Sequence, residues 1–192
     1  LINILALIII ALGSFFWVYK SRKNNRIILD KNKRISNIIA AANVGTWEWN
    51  YKNHDFEINE RWAEMVGYTL NELKPMTIQK WKHFILLEDL QNTIAEINRL
   101  VNKDIKFHDL EFRMKHKDGS YIWVRSYGKV IEWDKDNFPL IIAGTHTEIT
   151  DKKQYEQSLI HSEQDKSMII SSLPGVSYRC RYDENWTMIY MS

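Results

Sequence analysis

Reactive side chains are few in this chain of 192 residues, and their spacing limits what they can do. Six histidines and one cysteine are scattered along it. His108 and His116 share one face of an extended stretch, but strand geometry puts them roughly 26 Å apart, too far for one metal ion. No histidine–cysteine pair has zinc-ligand spacing. The seven glycines contain no Gly-x-Gly, so no phosphate-cradling loop is expected. Cys180 has no nucleophile motif around it and reads as a small core residue. His161 lies in a helical stretch, the setting of a phosphoryl-accepting histidine. That role needs an acidic base and a nucleotide-binding domain nearby, and His161 sits instead on a linker ahead of a second module. The tryptophans and tyrosines read as core and strand-face packing. No acid–base pair or nucleophile constellation is left, so no catalytic or metal site is expected.

The elements that position these residues are clearest from Lys106 to Asp151. Leu110, Phe112 and Met114 alternate with Glu111, Arg113 and Lys115, the period of a half-buried strand. Lys117-Asp118-Gly119 is a hairpin signal. The next run puts Ile122, Val124 and Val130 on one face and Trp123, Arg125, Tyr127 and Lys129 on the other. A polar turn at 134–137 leads to Pro139, at a strand start where its missing N–H is tolerated. The third run ends at Thr150, expected to cap a charged helix.

Upstream, Thr46–Asn50 and Asp55–Ile58 read as strands, Glu60–Val66 and Leu70–Leu73 as short helices, and Glu88–Val101 as the longest helix of the domain. Leu90, Ile94, Ile97 and Val101 give that helix an apolar stripe. From Arg26 to Ala42 the chain also reads as a helix, with a weak heptad pattern at Ile28, Ile35, Ile38 and Ala42. An amphipathic linker packed on its own domain fits that stretch equally well.

Leu1 to Tyr19 carries no charge, and as a helix it would be roughly 28 Å long. Aromatic residues and then Lys20, Arg22, Lys23 and Arg26 follow, so a transmembrane helix is expected at 1–19, in the bacterial inner membrane with the later residues in the cytoplasm. Residues 20–34 hold seven basic residues and one acidic residue. Taken from totals of 26 and 24, this leaves 19 basic and 23 acidic residues elsewhere, a net of −4. The basic run suits a lipid bilayer surface, and the acidic remainder argues against a nucleic-acid partner. One cysteine excludes a disulfide framework. The chain starts on Leu and stops at Ser192 in mid-pattern, and reads as a fragment cut at both ends.

Four pieces carry a family resemblance: GTWEWN at 45–50, WAEMVGYTLNEL at 62–73, KDGSYIWV at 117–124 and GTHTEIT at 144–150. In this order and spacing they resemble a PAS domain with its C-terminal PAC motif. The resemblance implies an α+β fold, a five-stranded antiparallel sheet with short helices on one face. The expected arrangement adds the transmembrane helix before it and linker helices on either side. The expected divisions are 1–19 transmembrane helix, 20–43 basic juxtamembrane and linker helix, 44–150 PAS/PAC domain, 151–173 linker helix and 174–192 the start of a second PAS domain. The last rests on a parallel between SNIIAAANVGTWEWNY at 36–51 and SMIISSLPGVSYRCRY at 167–182. One departure is Leu86-Leu87-Glu88-Asp89, where the family often has His-Pro-Asp/Glu-Asp.

The resemblance also bears on cofactors and function. Flavin photoreceptor members use an Asn-Cys motif, haem members a histidine on the long helix, and thioester-chromophore members another cysteine. None of these has a counterpart here, so no cofactor is expected; a small-molecule ligand stays open. The resemblance implies a sensor region of a membrane-bound signalling protein, foremost a sensor histidine kinase, otherwise a diguanylate cyclase or phosphodiesterase, or a protein–protein interaction module without ligand. The family's Asp-Ile-Thr exit motif falls on Glu148, Ile149 and Thr150, which are expected to transmit the signal. Beyond it Tyr155, Leu159, Ser162, Lys166, Ile169 and Leu173 step by four and three. This seam is apolar at its ends and polar in its middle, and it suggests a parallel homodimer.

Overall fold

A row of inward-facing apolar side chains on five antiparallel strands builds the centre of the molecule. The computed structural model describes residues 2–172, 178–181 and 188–191, with side chains at 15–172, 180, 181, 188 and 189. Strands β1 (Gly45–Asn50), β2 (Phe56–Ile58), β3 (His108–Lys115), β4 (Tyr121–Trp133) and β5 (Pro139–Glu148) form one sheet in the order β2-β1-β5-β4-β3. Helices α2 (Glu60–Met65), α3 (Leu70–Leu73), α4 (Ile78–Phe84) and α5 (Leu87–Val101) lie between β2 and β3 in the chain. Helix α1 (Ile2–Ala41) leads in and α6 (Thr150–Ser172) leads out. A small hairpin of β6 (Tyr178–Cys180) and β7 (Met188–Met191) follows. This is the α+β architecture that the family resemblance implies.

The alternation expected of β3 and β4 is present. His108, Phe112 and Met114 are buried on β3, and Ile122, Val124, Ser126 and Gly128 on β4. The core these strands share with the helices includes Trp47, Phe56, Trp62, Trp81, Leu100 and Ile142. Each large apolar side chain so buried contributes roughly 1.5–3 kcal/mol. Gly45 of β1 pairs with His146 of β5, so β1 begins and β5 ends at the same end of the sheet. The chain therefore enters from α1 and leaves into α6 at neighbouring points.

Local chemistry sets the helix ends. The Asn59 side chain accepts the Trp62 N–H at 2.9 Å and caps α2. Thr69 and Glu72 form a reciprocal capping box on α3. Thr77 caps α4, a seven-residue helix with no counterpart in the expected elements. Helix α5 starts at Leu87 without a side-chain cap; Glu88 and Asp89 in its first turn favour its N-terminus. The departure from the family's loop leaves that helix start intact. Its most buried side chains are Thr93 and Leu100, beside the expected stripe.

Two expectations are corrected. Among the described residues no helix is long and apolar enough to cross a membrane. The span at Leu1–Tyr19, and the inner-membrane and cytoplasmic placement built on it, are therefore not supported. Helix α1 is one 40-residue helix that runs on through the basic segment. Leu1 lies outside the described residues. The second correction concerns Thr150, whose hydroxyl accepts the Trp123 N–H at 3.1 Å and so ties α6 to β4. Helix α6 already includes Thr150, and its side chain serves the sheet, not the helix N–H groups.

Candidate functional site

An aromatic chamber lies between the inner face of the sheet and the helical roof. Trp47 from β1 is its centre. The Trp47 ring stacks on His108 at 5.6 Å on one side and on Phe56 at 5.9 Å on the other, and Phe56 continues to Trp81 at 5.8 Å. This places four rings in sequence through the core. A floor without side chains makes room for the indole: Gly128 of β4 pairs with Gly144 of β5 beneath it. A Cβ on Gly128 would lie 2.7 Å from Trp47 Cζ2 and 2.8 Å from His108 Cε1, and one on Gly144 would lie 2.7 Å from Trp47 Cζ2.

Two histidines face this chamber, and spacing along the chain did not single them out as partners of the core. His108 Nε2 lies 2.9 Å from Ser126 Oγ, and His146 Nδ1 accepts the Trp62 Nε1–H at 2.8 Å. Burial pushes the His108 imidazole down to about 4 and the His146 imidazole down to about 3, so both are neutral at pH 7. His108 Nδ1 and His146 Nε2 have no partner among the described residues, nor do the Nε1 groups of Trp47, Trp49 and Trp81. The sequence signal was present: His108 is in phase with Phe112 and Met114, and His146 with Ile142. Among the described residues no group of three or more His, Cys, Asp or Glu is placed to hold a metal ion.

The chamber encloses a cavity of about 10 Å³ whose walls include Trp47, Trp49, Phe56, Trp81, His108 and Ser126. His116 sits far from it, at the β3–β4 hairpin, where its Nδ1 lies 2.9 Å from Asp118 Oδ1. Hydrogen bonds from the Ser120 side chain and then its amide, together with His116, hold the Asp118 carboxyl well below the usual carboxylate range. Gly119 turns that hairpin at φ 92.

The second candidate region is the exit from the sheet. Glu148 Oε2 approaches Arg61 Nη2 of α2 at 3.7 Å, and Glu148 Oε1 accepts the Thr150 hydroxyl at 3.3 Å. The Ile149 N–H donates to the Trp123 carbonyl at 2.8 Å while Thr150 accepts the Trp123 N–H. One residue of β4 thus binds both sides of the junction. Lys153 adds an ion pair to Glu111 of β3 at 2.6 Å and lies 5.2 Å over the Trp123 ring. Across the same ring Arg113 sits at 5.5 Å. Its guanidinium bonds Asp89 at 2.8 and 2.9 Å and holds that carboxyl below its usual range.

Past Lys153 nothing on α6 is buried. Tyr155, Leu159 and Ile169 of the expected seam are exposed, as are Ile160, Met168 and Ile170. Leu173, and Pro174 to Ser177 at the expected start of a second domain, lie outside the described residues. His161 Nε2 lies 3.6 Å from Asp165 Oδ2 on the exposed helix.

A helix-roofed antiparallel sheet of this strand order, closed over an aromatic chamber, with helices entering and leaving at one end, defines a small α+β domain. Residues 55–146 match the PAS fold family. The chain carries a PAS domain.

Its relatives are signalling proteins. The hybrid signal transduction histidine kinase A of Dictyostelium discoideum is 25% identical over 161 residues, covering 79% of this chain and 7% of the relative. The probable diguanylate cyclase DgcE of Escherichia coli is 20% identical over 142 residues, covering 73% of this chain and 12% of the relative. The chain thus spans a small part of the curated relatives it matches. A sensory box histidine kinase/response regulator from Burkholderia thailandensis shares the fold, with a TM-score of 0.61 and 23% identity over 70% of this chain and 98% of the other.

Proposed function

We propose that this PAS domain is the sensing and pairing module of a larger signal-transduction protein, with a histidine kinase as its output and α6 as the relay. The observation that supports this best is the junction. The central strand β5 passes into α6 through Glu148, Ile149 and Thr150, with no Gly or Pro hinge between. Trp123 binds both sides of the passage through its N–H and its C=O. A shift of β4 against β5 is then passed to the helix as a lever, because no soft joint absorbs it.

Two copies of the chain pair in parallel along α6 in this reading. Tyr155, Leu159 and Ile169 have no intramolecular cover among the described residues, and Ser162 and Lys166 keep the middle of the seam weak. Weak pairing lets the helices move between two arrangements, as a switch element must. A diguanylate cyclase output is the second reading, favoured by the match to DgcE. A module that only pairs subunits is the third, and it needs no ligand.

The test is helix phase. Residues 1–172 are fused in frame to a histidine kinase core, with insertions after Leu159. Seven inserted residues preserve the heptad, whereas four rotate the seam by roughly 40°. The first is expected to leave output regulation nearly intact and the second to lock or invert it. Equal behaviour of the two insertions refutes the relay and leaves a passive tether.

A further inference from the structure

Helix α1 has two unlike sides. With about 100° of turn per residue, the seven basic side chains from Lys20 to Arg34 all fall on one half of its circumference. Asp30 is the single acidic residue among them. The other half carries Ile28, Leu29, Asn32, Ile35 and Ser36. Asn32, Ile35, Ser36 and Ile39 line an open hollow against Asn59, Arg61 and Glu64 of the α2 region, so this half faces the folded domain. The cationic half therefore faces away from it.

All seven cations are exposed, and among the described residues none of them forms an ion pair. Phe15, Phe16 and Tyr19 lie on the same side of the rod and are 73, 67 and 61% exposed. From Phe15 to Arg34 this side is roughly 28 Å long. Such a strip fits an extended anionic surface. Nucleic acid and an anionic bilayer both supply the charge, and the rings decide between them. Phe side chains offer no hydrogen bond, whereas a lipid headgroup layer takes aromatic rings together with Lys and Arg. The rest of the chain carries a net charge of −4, so an anionic surface repels it and contact is confined to α1.

We propose that residues 15–34 of α1 lie along the surface of an anionic lipid bilayer, cationic side down. Phe15, Phe16 and Tyr19 enter the headgroup layer, and the folded domain stands on the opposite side of the rod. The contact is made at the surface and needs no helix of spanning length. It is independent of the signalling output, so neither its success nor its failure bears on the helix-phase test.

The 192-residue chain is sedimented with vesicles of phosphatidylcholine alone or mixed with phosphatidylglycerol. Saturable binding to the mixed vesicles is expected, with binding to the neutral ones at least about tenfold weaker. Salt near 1 M, where the screening length is about 3 Å, should remove the difference. Each cation near an anionic surface strengthens binding about fivefold, so Lys20→Gln with Lys23→Gln and Arg26→Gln should weaken it about a hundredfold. Glutamine is a good helix former, so the rod survives these exposed changes. A second variant keeps the charge and moves it: Lys23→Asn and Arg26→Asn with Asn25→Lys and Asn32→Lys puts two cations on the domain-facing half. It should bind about tenfold more weakly or worse. Phe16→Ala with Tyr19→Ala should weaken binding more than Trp17→Ala, whose ring lies on the other half. Equal affinity for neutral and anionic vesicles, unchanged affinity of the charge-moved variant, tighter binding of a single-stranded RNA at the same salt, or no sedimentation with the mixed vesicles overturns the proposal.

Discussion

Acidification should unfold this domain through His108 and His146 before its carboxylates matter. Burial lowers the two imidazoles from an ordinary value of 6.5 to about 4 and about 3. Below pH 6.5 the unfolded chain takes up two protons that the folded chain refuses. Their contribution to stability is therefore complete above pH 6.5 and is lost as pH falls toward the folded-state values. The slope is about 1.4 kcal/mol per pH unit for each histidine, or about 2 kcal/mol each by pH 5. Both together lose about 4 kcal/mol, a large share of the 5–15 kcal/mol typical of a domain. The Asp89, Asp109 and Glu72 carboxyls are all held below their usual range by Arg113, Arg125 and Lys117, so they stay charged through this window. Urea unfolding of the whole chain between about pH 7.5 and pH 5 should show the midpoint falling with constant m. His108→Gln with His146→Gln should flatten the profile, since glutamine does not titrate and its carbonyl can still accept the Trp62 N–H. A flat profile in the unsubstituted chain, or an unchanged slope in the double variant, would refute the reasoning.

Four further outcomes are expected. Gly128→Ala should destabilise by about 1–3 kcal/mol in urea melts, because the new methyl meets the packed ring of Trp47. Gly119→Ala meets no atom within 4 Å but sits at φ 92, so its cost should be strain alone, near the lower end of that range. Thr150→Val removes the acceptor of the Trp123 N–H and should cost about 1 kcal/mol, read as faster amide exchange at Trp123 while β3 stays protected. Arg113→Gln should raise the Asp89 carboxyl back toward its ordinary range in an NMR titration, since the guanidinium is the main cause of its depression.

Strand residues were legible because they face one way with a period of two: Phe112, Met114, Ile122 and Val124 announced both strand and face. Helix α4 was not, because seven residues with two buried side chains, Ile78 and Trp81, give no repeated stripe. His108 and His146 were counted by distance along the chain, as metal ligands would be. What matters is their phase on strands that flank the Trp47 ring. The exit residues were visible as a motif, but the partner of Thr150 was not. A hydrogen bond across 27 residues to Trp123 depends on the register of β4 against β5, which local sequence does not state. The apolar first residues suggested a bilayer through length and charge alone, and among the described residues no helix meets that criterion.

Gly45 and His146 face each other across one ladder, with α1 ending just before the first and α6 starting just after the second. Topologically, everything between them is a closed lobe set between two helices. Such a lobe can be transplanted or duplicated as a cassette, because its two splice points already sit next to each other. Gene duplication could then string such lobes along a signalling helix without new linkers being designed for each addition.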